Sequence, residues 1–260
     1  MDIPTNAFKA ALSRGELQIG LWSSLCSNIV AEAVSHSGFD WILVDAEHSP
    51  NETPSVLAQL QAMQAGTATP IVRPAWNDPV LIKRLLDIGA MGILVPFVQN
   101  AEEAAQAVAA CRYPPAGRRG ITTSGRGSRF GRVANYLEKA DSQICVLVQV
   151  ETAEALEQLE AIAAVDGDDG VFIGPADLSA SLGHIGKPNH PDVREAIRLA
   201  GQRLVATGKP AGILTASEAD ARSYIEWGYS FVAVGTDLGL LVRGADALMK
   251  SFQKAADRKQ

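Results

Sequence analysis

Two runs constrain the fold most: Ile144-Cys-Val-Leu-Val-Gln-Val-Glu-Thr152 and Gly170-Val-Phe-Ile-Gly-Pro-Ala-Asp-Leu178. Each is β-branched and aliphatic, the pattern of a strand buried on both faces in a parallel sheet. Each ends on a carboxylate, Glu151 in the first and Asp177 just past the second. Between them Ala153 to Val165 reads as one amphipathic helix, with Leu156, Leu159 and Ile162 on its apolar stripe. A right-handed strand–helix–strand crossover lays the two strands side by side in the same direction, so both carboxylates reach one carboxyl edge. Gln149 and Glu151, two apart, point to the same side of their strand. This pattern predicts a metal-binding edge; the alternative is that the acids cap the helices that follow.

The same alternation runs the length of the chain. Strands are predicted at Gln18–Trp22, Trp41–Val44, Pro70–Arg73, Gly92–Pro96, Cys145–Gln149, Gly170–Ile173, Ala211–Leu214 and Phe231–Val234. Helices follow from near Asn28, Pro54, Asp78, Ala101, Thr152, Pro191, Ser217 and Asp237, and a short amphipathic helix, Ala7 to Leu12, comes first. Eight strands alternating with eight helices predict an α/β fold, a (β/α)₈ TIM barrel. With 260 residues and no break in composition, residues 1–260 are expected to form one domain. An open doubly wound sheet usually carries a Gly-rich dinucleotide fingerprint, and the chain has none. The long connection is Tyr113 to Tyr136, with Arg118, Arg119, Arg126, Arg129 and Arg132; loops of this length are commonly functional.

The formal charge of −6 argues against nucleic acid or an anionic membrane as partner. The start, Met1-Asp-Ile-Pro-Thr, lacks the pattern of a secretory leader. Cys26, Cys111 and Cys145 are odd in number and widely spaced, which predicts reduced thiols and a cytoplasmic location.

In a barrel, active-site groups come from the carboxyl ends of the strands. Those ends carry Trp22, Asp45, Glu47, His48, Arg73, Gln149, Glu151, Asp177 and Thr215. Glu151 and Asp177 are hard oxygen donors suited to Mg²⁺, Mn²⁺ or Co²⁺ with open positions for a 2-oxo acid. Arg73 ends an apolar strand, where its charge can meet an oxyanion or pair with a neighbouring acid. His48 brings an imidazole, the side-chain type suited to proton transfer, though a loop histidine can also be merely solvated. The turn Gly174-Pro175-Ala176 offers backbone amides at a helix entrance. Asp87 ends a helix next to Gly89, where the dipole disfavours it; it pairs with Lys83 or Arg84 or points outside its own subunit. Strand cores contain no lysine, and Lys209 lies at the amino end of its strand, which disfavours imine chemistry.

Four segments then carry a resemblance: Asp40-Trp-Ile-Leu-Val-Asp-Ala-Glu-His48, Val72-Arg-Pro-Ala-Trp-Asn-Asp-Pro79, Val146-Leu-Val-Gln-Val-Glu-Thr152 and Asp169-Gly-Val-Phe-Ile-Gly-Pro-Ala-Asp-Leu-Ser179. Together, over nearly the whole chain, they resemble the HpcH/HpaI aldolases, metal-dependent pyruvate aldolases with a phosphoenolpyruvate/pyruvate-type barrel. The resemblance implies that Glu151 and Asp177 bind the divalent metal and that Arg73 steadies the pyruvate enolate. Gln149, the Gly174, Pro175 and Ala176 backbone, Trp22 and Leu214 would contact substrate. His48 would be the acid/base, Asp45 a further acid of the site, and Asp87 a carboxylate presented across a subunit interface. A homohexamer, a trimer of dimers, is implied. Ala46 stands where the family usually has glycine, and the loop from Ile121 to Arg129 departs from the family pattern. That loop is expected to line the aldehyde end of the pocket, its arginines meeting a distal carboxylate.

The expected reaction is reversible aldol cleavage of a 4-hydroxy-2-oxo acid, 4-hydroxy-2-oxoheptanedioate first, to pyruvate and succinic semialdehyde. The alternatives are a sugar-acid aldolase acting on 2-keto-3-deoxy-L-rhamnonate or 2-dehydro-3-deoxyglucarate, and a catalytically silent barrel that binds 2-oxo acids. The intact set of Asp45, His48, Arg73, Glu151 and Asp177 speaks against the silent barrel.

Overall fold

In the computed structural model, which describes residues 1–257, eight parallel strands close in sequence order into a barrel. They are β1 (Gln18–Ser23), β2 (Trp41–Asp45), β3 (Thr69–Arg73), β4 (Gly92–Val95), β5 (Cys145–Val150), β6 (Gly170–Ile173), β7 (Ala211–Leu214) and β8 (Phe231–Thr236). The helices are α1 (Ala7–Ser13), α2 (Asn28–Ser35), α3 (Thr53–Ala62), α4 (Pro79–Asp87), α5 (Ala101–Cys111), α6 (Tyr136–Gln143), α7 (Ala153–Glu157), α8 (Leu159–Ala163), α9 (Pro175–Ser181), α10 (Pro191–Thr207), α11 (Glu218–Glu226) and α12 (Asp237–Asp257). Each predicted strand is present, with its ends displaced by two residues at most.

The helix expected from Ala153 to Val165 is broken in two at Gln158, whose φ of −95° and ψ of 8° leave the helical region. Leu156 stays only partly buried while Leu159 and Ile162 reach the core, so the break turns the second half onto the barrel. The extra helix α9 starts at Pro175, whose fixed φ suits a first helical turn.

Strand periodicity sorts the barrel into two packings. Ile42, Val44, Val72, Val146, Val148, Val150 and Val171 face outwards and share one core with the surrounding helices. Trp22, Trp41, Leu43, Ile71, Leu94, Cys145, Leu147, Phe172 and Phe231 face the axis and fill the interior, with Leu214 packed beside them. Phe8 and Leu12 of α1 close the amino end of that interior, Phe8 lying 5.6 Å from Trp41 and 5.9 Å from Phe231 between ring centroids. Lys9 secures this plug by donating to Asp169 at 2.8 Å and to the Ile144 carbonyl at 2.9 Å. The interior is therefore a filled core rather than a channel, and only its carboxyl end is polar.

Helix α12 is unlike the others. Its residues Leu240, Leu241, Leu248, Met249 and Phe252 are exposed, Phe252 to 68%. No helix among the described residues is long and apolar enough to cross a membrane.

Candidate active site

The inward faces of the strands continue into the site. On β2 the inward series Trp41, Leu43 ends on Asp45; on β3 Ile71 is followed by Arg73; on β5 Cys145 and Leu147 lead to Gln149 and then Glu151. Asp45 and Arg73 are register partners on neighbouring strands, which sets their side chains next to each other. Arg73 donates from Nε to Asp45 Oδ1 at 2.9 Å and from Nη2 to Asp45 Oδ2 at 2.7 Å. This two-pronged pair fits the guanidinium fork. Nη1 lies 2.8 Å from Glu47 Oε2 as an ion pair. The guanidinium stacks over the Trp22 ring at 4.8 Å, and Trp22 Nε1 donates to Asp45 Oδ2 at 3.2 Å. Two of its five N–H donors are committed to Asp45; both on Nη1 and one on Nη2 have no hydrogen-bond acceptor among the described residues, Glu47 Oε2 being an ion-pair neighbour only.

Burial pushes the Asp45 carboxyl up, but the bonds and charge of Arg73 outweigh it and hold it below its usual value. Glu47 goes the other way: its desolvation exceeds the attraction of Arg73, and its carboxyl is raised. Glu151 is 2% exposed and its carboxyl is pushed up to about 7. Burial is the main cause, and repulsion from Glu47 and Asp177 adds to it, against opposing hydrogen bonds from Gln149 and the Phe97 amide. Four carboxylates therefore share the rim with one guanidinium. Such a surplus of hard, negative oxygen donors is what a divalent cation relieves, so Glu151 and Asp177 fit a metal pair. Gln149 turns its amide nitrogen to Glu151 Oε2, leaving its Oε1 buried without a partner. Gly174 lies against this pair: a Cβ there would meet Glu151 Oε2 at 2.5 Å.

His184, His190 and Asp192 also bring donor atoms within 4.8 Å of one another, on the α9–α10 connection and first turn of α10. The imidazoles are stacked at 3.6 Å, and His190 accepts from the Asp192 amide as the cap of α10. These contacts account for that cluster without an ion.

Residues 18–244 match the family model described as HpcH/HpaI aldolase/citrate lyase. The chain belongs to that family. A pyruvate aldolase of Rhizobium etli is 57% identical over 97% of this chain and 99% of its own. A 4-hydroxy-2-oxo-heptane-1,7-dioate aldolase of Klebsiella pneumoniae is 57% identical over 95% of this chain and 94% of its own. A 5-keto-4-deoxy-D-glucarate aldolase of Enterobacter is 50% identical over 97% and 99%. The crystal structure of an HpcH/HpaI family protein from Burkholderia cenocepacia, 39% identical, superposes with a TM-score of 0.93 over 96% of this chain and all of its own.

In this member of the family, Trp22, Asp45, Arg73, Gln149, Glu151 and Gly174 come together, and the electrostatics join Asp177 and His48 to them. His48 is exposed, its Nε2 3.8 Å from Glu47 Oε1. Leu214 ends the inward face of β7. The expected amide cradle is narrower than its sequence suggests. Pro175 has no N–H, and the Gly174 amide donates to the Val150 carbonyl at 3.0 Å, so Ala176 is the member of the three left to donate.

The arginine loop requires a correction. It runs from α5 to α6, ahead of β5, and lies at the amino edge beside the strand starts, opposite the site in its own chain. Arg126 donates to the Ile88 carbonyl at 3.0 Å, and Arg126, Arg129 and Arg132 line a cavity of about 810 Å³ with Thr69, Pro70 and Met91 at the strand starts. These arginines do not line the aldehyde end of their own pocket. Asp87, at the last turn of α4, shares that edge and pairs with Arg119 at 3.1 Å rather than with Lys83 or Arg84. Sequence reading offered a neighbouring acid as the alternative partner of Arg73, and Asp45 and Glu47 are those acids. It missed the Phe97 amide, 2.9 Å from Glu151 Oε1, for which no side-chain signal exists.

Because the folded protein raises the Glu151 carboxyl from 4.5 to about 7, its stability contribution is full below pH 4.5 and is lost as pH rises through 7. In protein held with chelator, Glu151→Gln should therefore raise stability at pH 8 by roughly 1–3 kcal/mol and change little at pH 5. Thermal melts at the two pH values check this; a variant less stable at pH 8 contradicts it.

Proposed function

We propose that the chain is a carbon–carbon lyase that reversibly cleaves a 4-hydroxy-2-oxo acid, 4-hydroxy-2-oxoheptanedioate first, to pyruvate and succinic semialdehyde. The observation that carries this is one buried, fully oriented guanidinium beside a carboxylate pair in electrostatic deficit of positive charge. The heptanedioate assignment is supported by the Klebsiella relative.

Glu151 and Asp177 would hold a divalent ion, Mg²⁺, Mn²⁺ or Co²⁺, which when bound supplies Lewis-acid polarisation of the 2-oxo group. The chain's own groups do the rest. The free N–H groups of Arg73 face the 2-oxo oxygen as negative charge develops there; their preorganisation by Asp45, Glu47 and Trp22 means that no reorientation is needed. The Ala176 amide receives the substrate carboxylate. His48, open to solvent, takes the 4-hydroxyl proton as the C3–C4 bond breaks, and a proton delivered from solvent to C3 of the enolate completes pyruvate. Trp22 and Leu214 form apolar walls beside the reacting carbons.

Release of pyruvate from 4-hydroxy-2-oxoheptanedioate, followed by coupled reduction, tests this reading. Activity should require a divalent ion, and Arg73→Ala should lower kcat by about 10²–10³. Arg73→Ala within a few-fold of the parent would sink the assignment. The glucarate relative favours a second reading, a sugar-acid substrate. A higher kcat/KM for 5-keto-4-deoxy-D-glucarate would move the substrate and leave the chemistry in place.

We also infer a cytoplasmic homo-oligomer, a hexamer built as a trimer of dimers. Three free thiols suit a reducing compartment, and the exposed apolar side chains of α12 suit burial against a second copy. Asp87 and the arginine loop, at the far edge of their own barrel, would serve His48 and the aldehyde end in a neighbouring copy. Co-assembled His48→Ala and Asp87→Ala subunits should then regain activity that neither homo-oligomer has. A monomeric mass in solution, or no regain on mixing, contradicts this.

A further inference from the structure

We propose that Trp76 and Phe97, an exposed aromatic pair on the carboxyl rim, position the Glu151 carboxylate; the proposal rests on the assignment of Glu151 as a metal ligand. Phe97 lies in the β4–α5 connection with a φ of 55°, the left-handed region that an aromatic residue seldom adopts. Strained residues of this kind persist where the surroundings over-determine them. Here the turn aims two successive amides at the end of β5. Phe97 N donates to Glu151 Oε1 at 2.9 Å, and Val98 N to the Gln149 carbonyl at 2.9 Å. The next residue is pegged as well, since Thr152 Oγ1 donates to Gln99 Oε1 at 2.6 Å.

The Phe97 ring lies at the surface. It is 37% exposed and stacks on Trp76, itself 52% exposed, with centroids 5.5 Å apart and planes 28° apart. Trp76 stands three residues after Arg73, in the connection from β3 to α4. The stack therefore couples the loop leaving Arg73 to the loop whose amide fixes Glu151. One oxygen of Glu151 is oriented by Gln149 and the other by Phe97, and the Trp76 ring keeps the second donor in place. Partners that orient a ligand in this way govern metal affinity as well as rate.

The test is Mn²⁺ binding to the intact protein, read from the EPR signal of free Mn²⁺ with thermal melts as the folding control. Trp76→Ala and Phe97→Gly should each weaken Mn²⁺ binding by about fivefold, the scale of one aromatic pair. Glycine relieves the strain at 97 but also frees the turn, so Trp76→Ala, which leaves the backbone at 97 unchanged, is the variant that reports the stack alone. Because one contact is broken twice, the double variant should also lose about fivefold rather than about 25-fold. Trp76→Phe should restore affinity, which a general loosening of the rim would not do. Unchanged Mn²⁺ affinity in both single variants, or losses that multiply, overturns the proposal. If affinity is unchanged in these variants while Glu151→Gln abolishes binding, the metal assignment stands and the positioning role alone fails. If Glu151→Gln itself leaves Mn²⁺ binding intact, both fall.

Discussion

Every second side chain of the eight closed strands must point at the barrel axis, and the rest of the structure depends on that rule. It sends Trp41, Leu147, Phe172 and Phe231 into a packed interior and lets α1 stopper one end. Continued by one step, the same rule carries Asp45, Arg73, Gln149 and Glu151 into a shared space above that interior. The apolar floor excludes water from below, so charges that would be weak in solvent act at short range here.

The charges do not balance. Asp45 is satisfied by the fork of Arg73 and stays ionised, while Glu47 and Glu151 compete for positive charge that the chain does not supply. A structural ion-pair network would be expected to close with comparable numbers of each sign. This one is left open on the side of Glu151 and Asp177, where oxygen donors fit a divalent ion and the arginine keeps N–H groups to spare. The same asymmetry explains why Asp45 serves to orient Arg73 rather than to bind metal: both of its oxygens already accept from the guanidinium.

Much of this was legible in the sequence because it follows from periodicity. Buried parallel strands are unmistakable as aliphatic runs, and spacing of two places Gln149 and Glu151 together without any long-range knowledge. What escaped depends on chain direction or on backbone. The connection from α5 to β5 has to return at the amino edge, yet the family resemblance placed its arginine-rich loop at the aldehyde end of the pocket. The break at Gln158 and the pairing of Asp87 with Arg119 are settled by tertiary packing that no local pattern encodes. The amide of Phe97 is a main-chain group in a left-handed turn, and a phenylalanine gives no sign of it.

The most direct measurement of the central claim is proton exchange at the methyl group of pyruvate in D₂O, followed by NMR with Mg²⁺ added or chelated. The account predicts loss of the methyl proton signal that needs the ion and disappears in Glu151→Gln and in Arg73→Ala. Exchange that continues in chelator, or that survives either substitution, would contradict it.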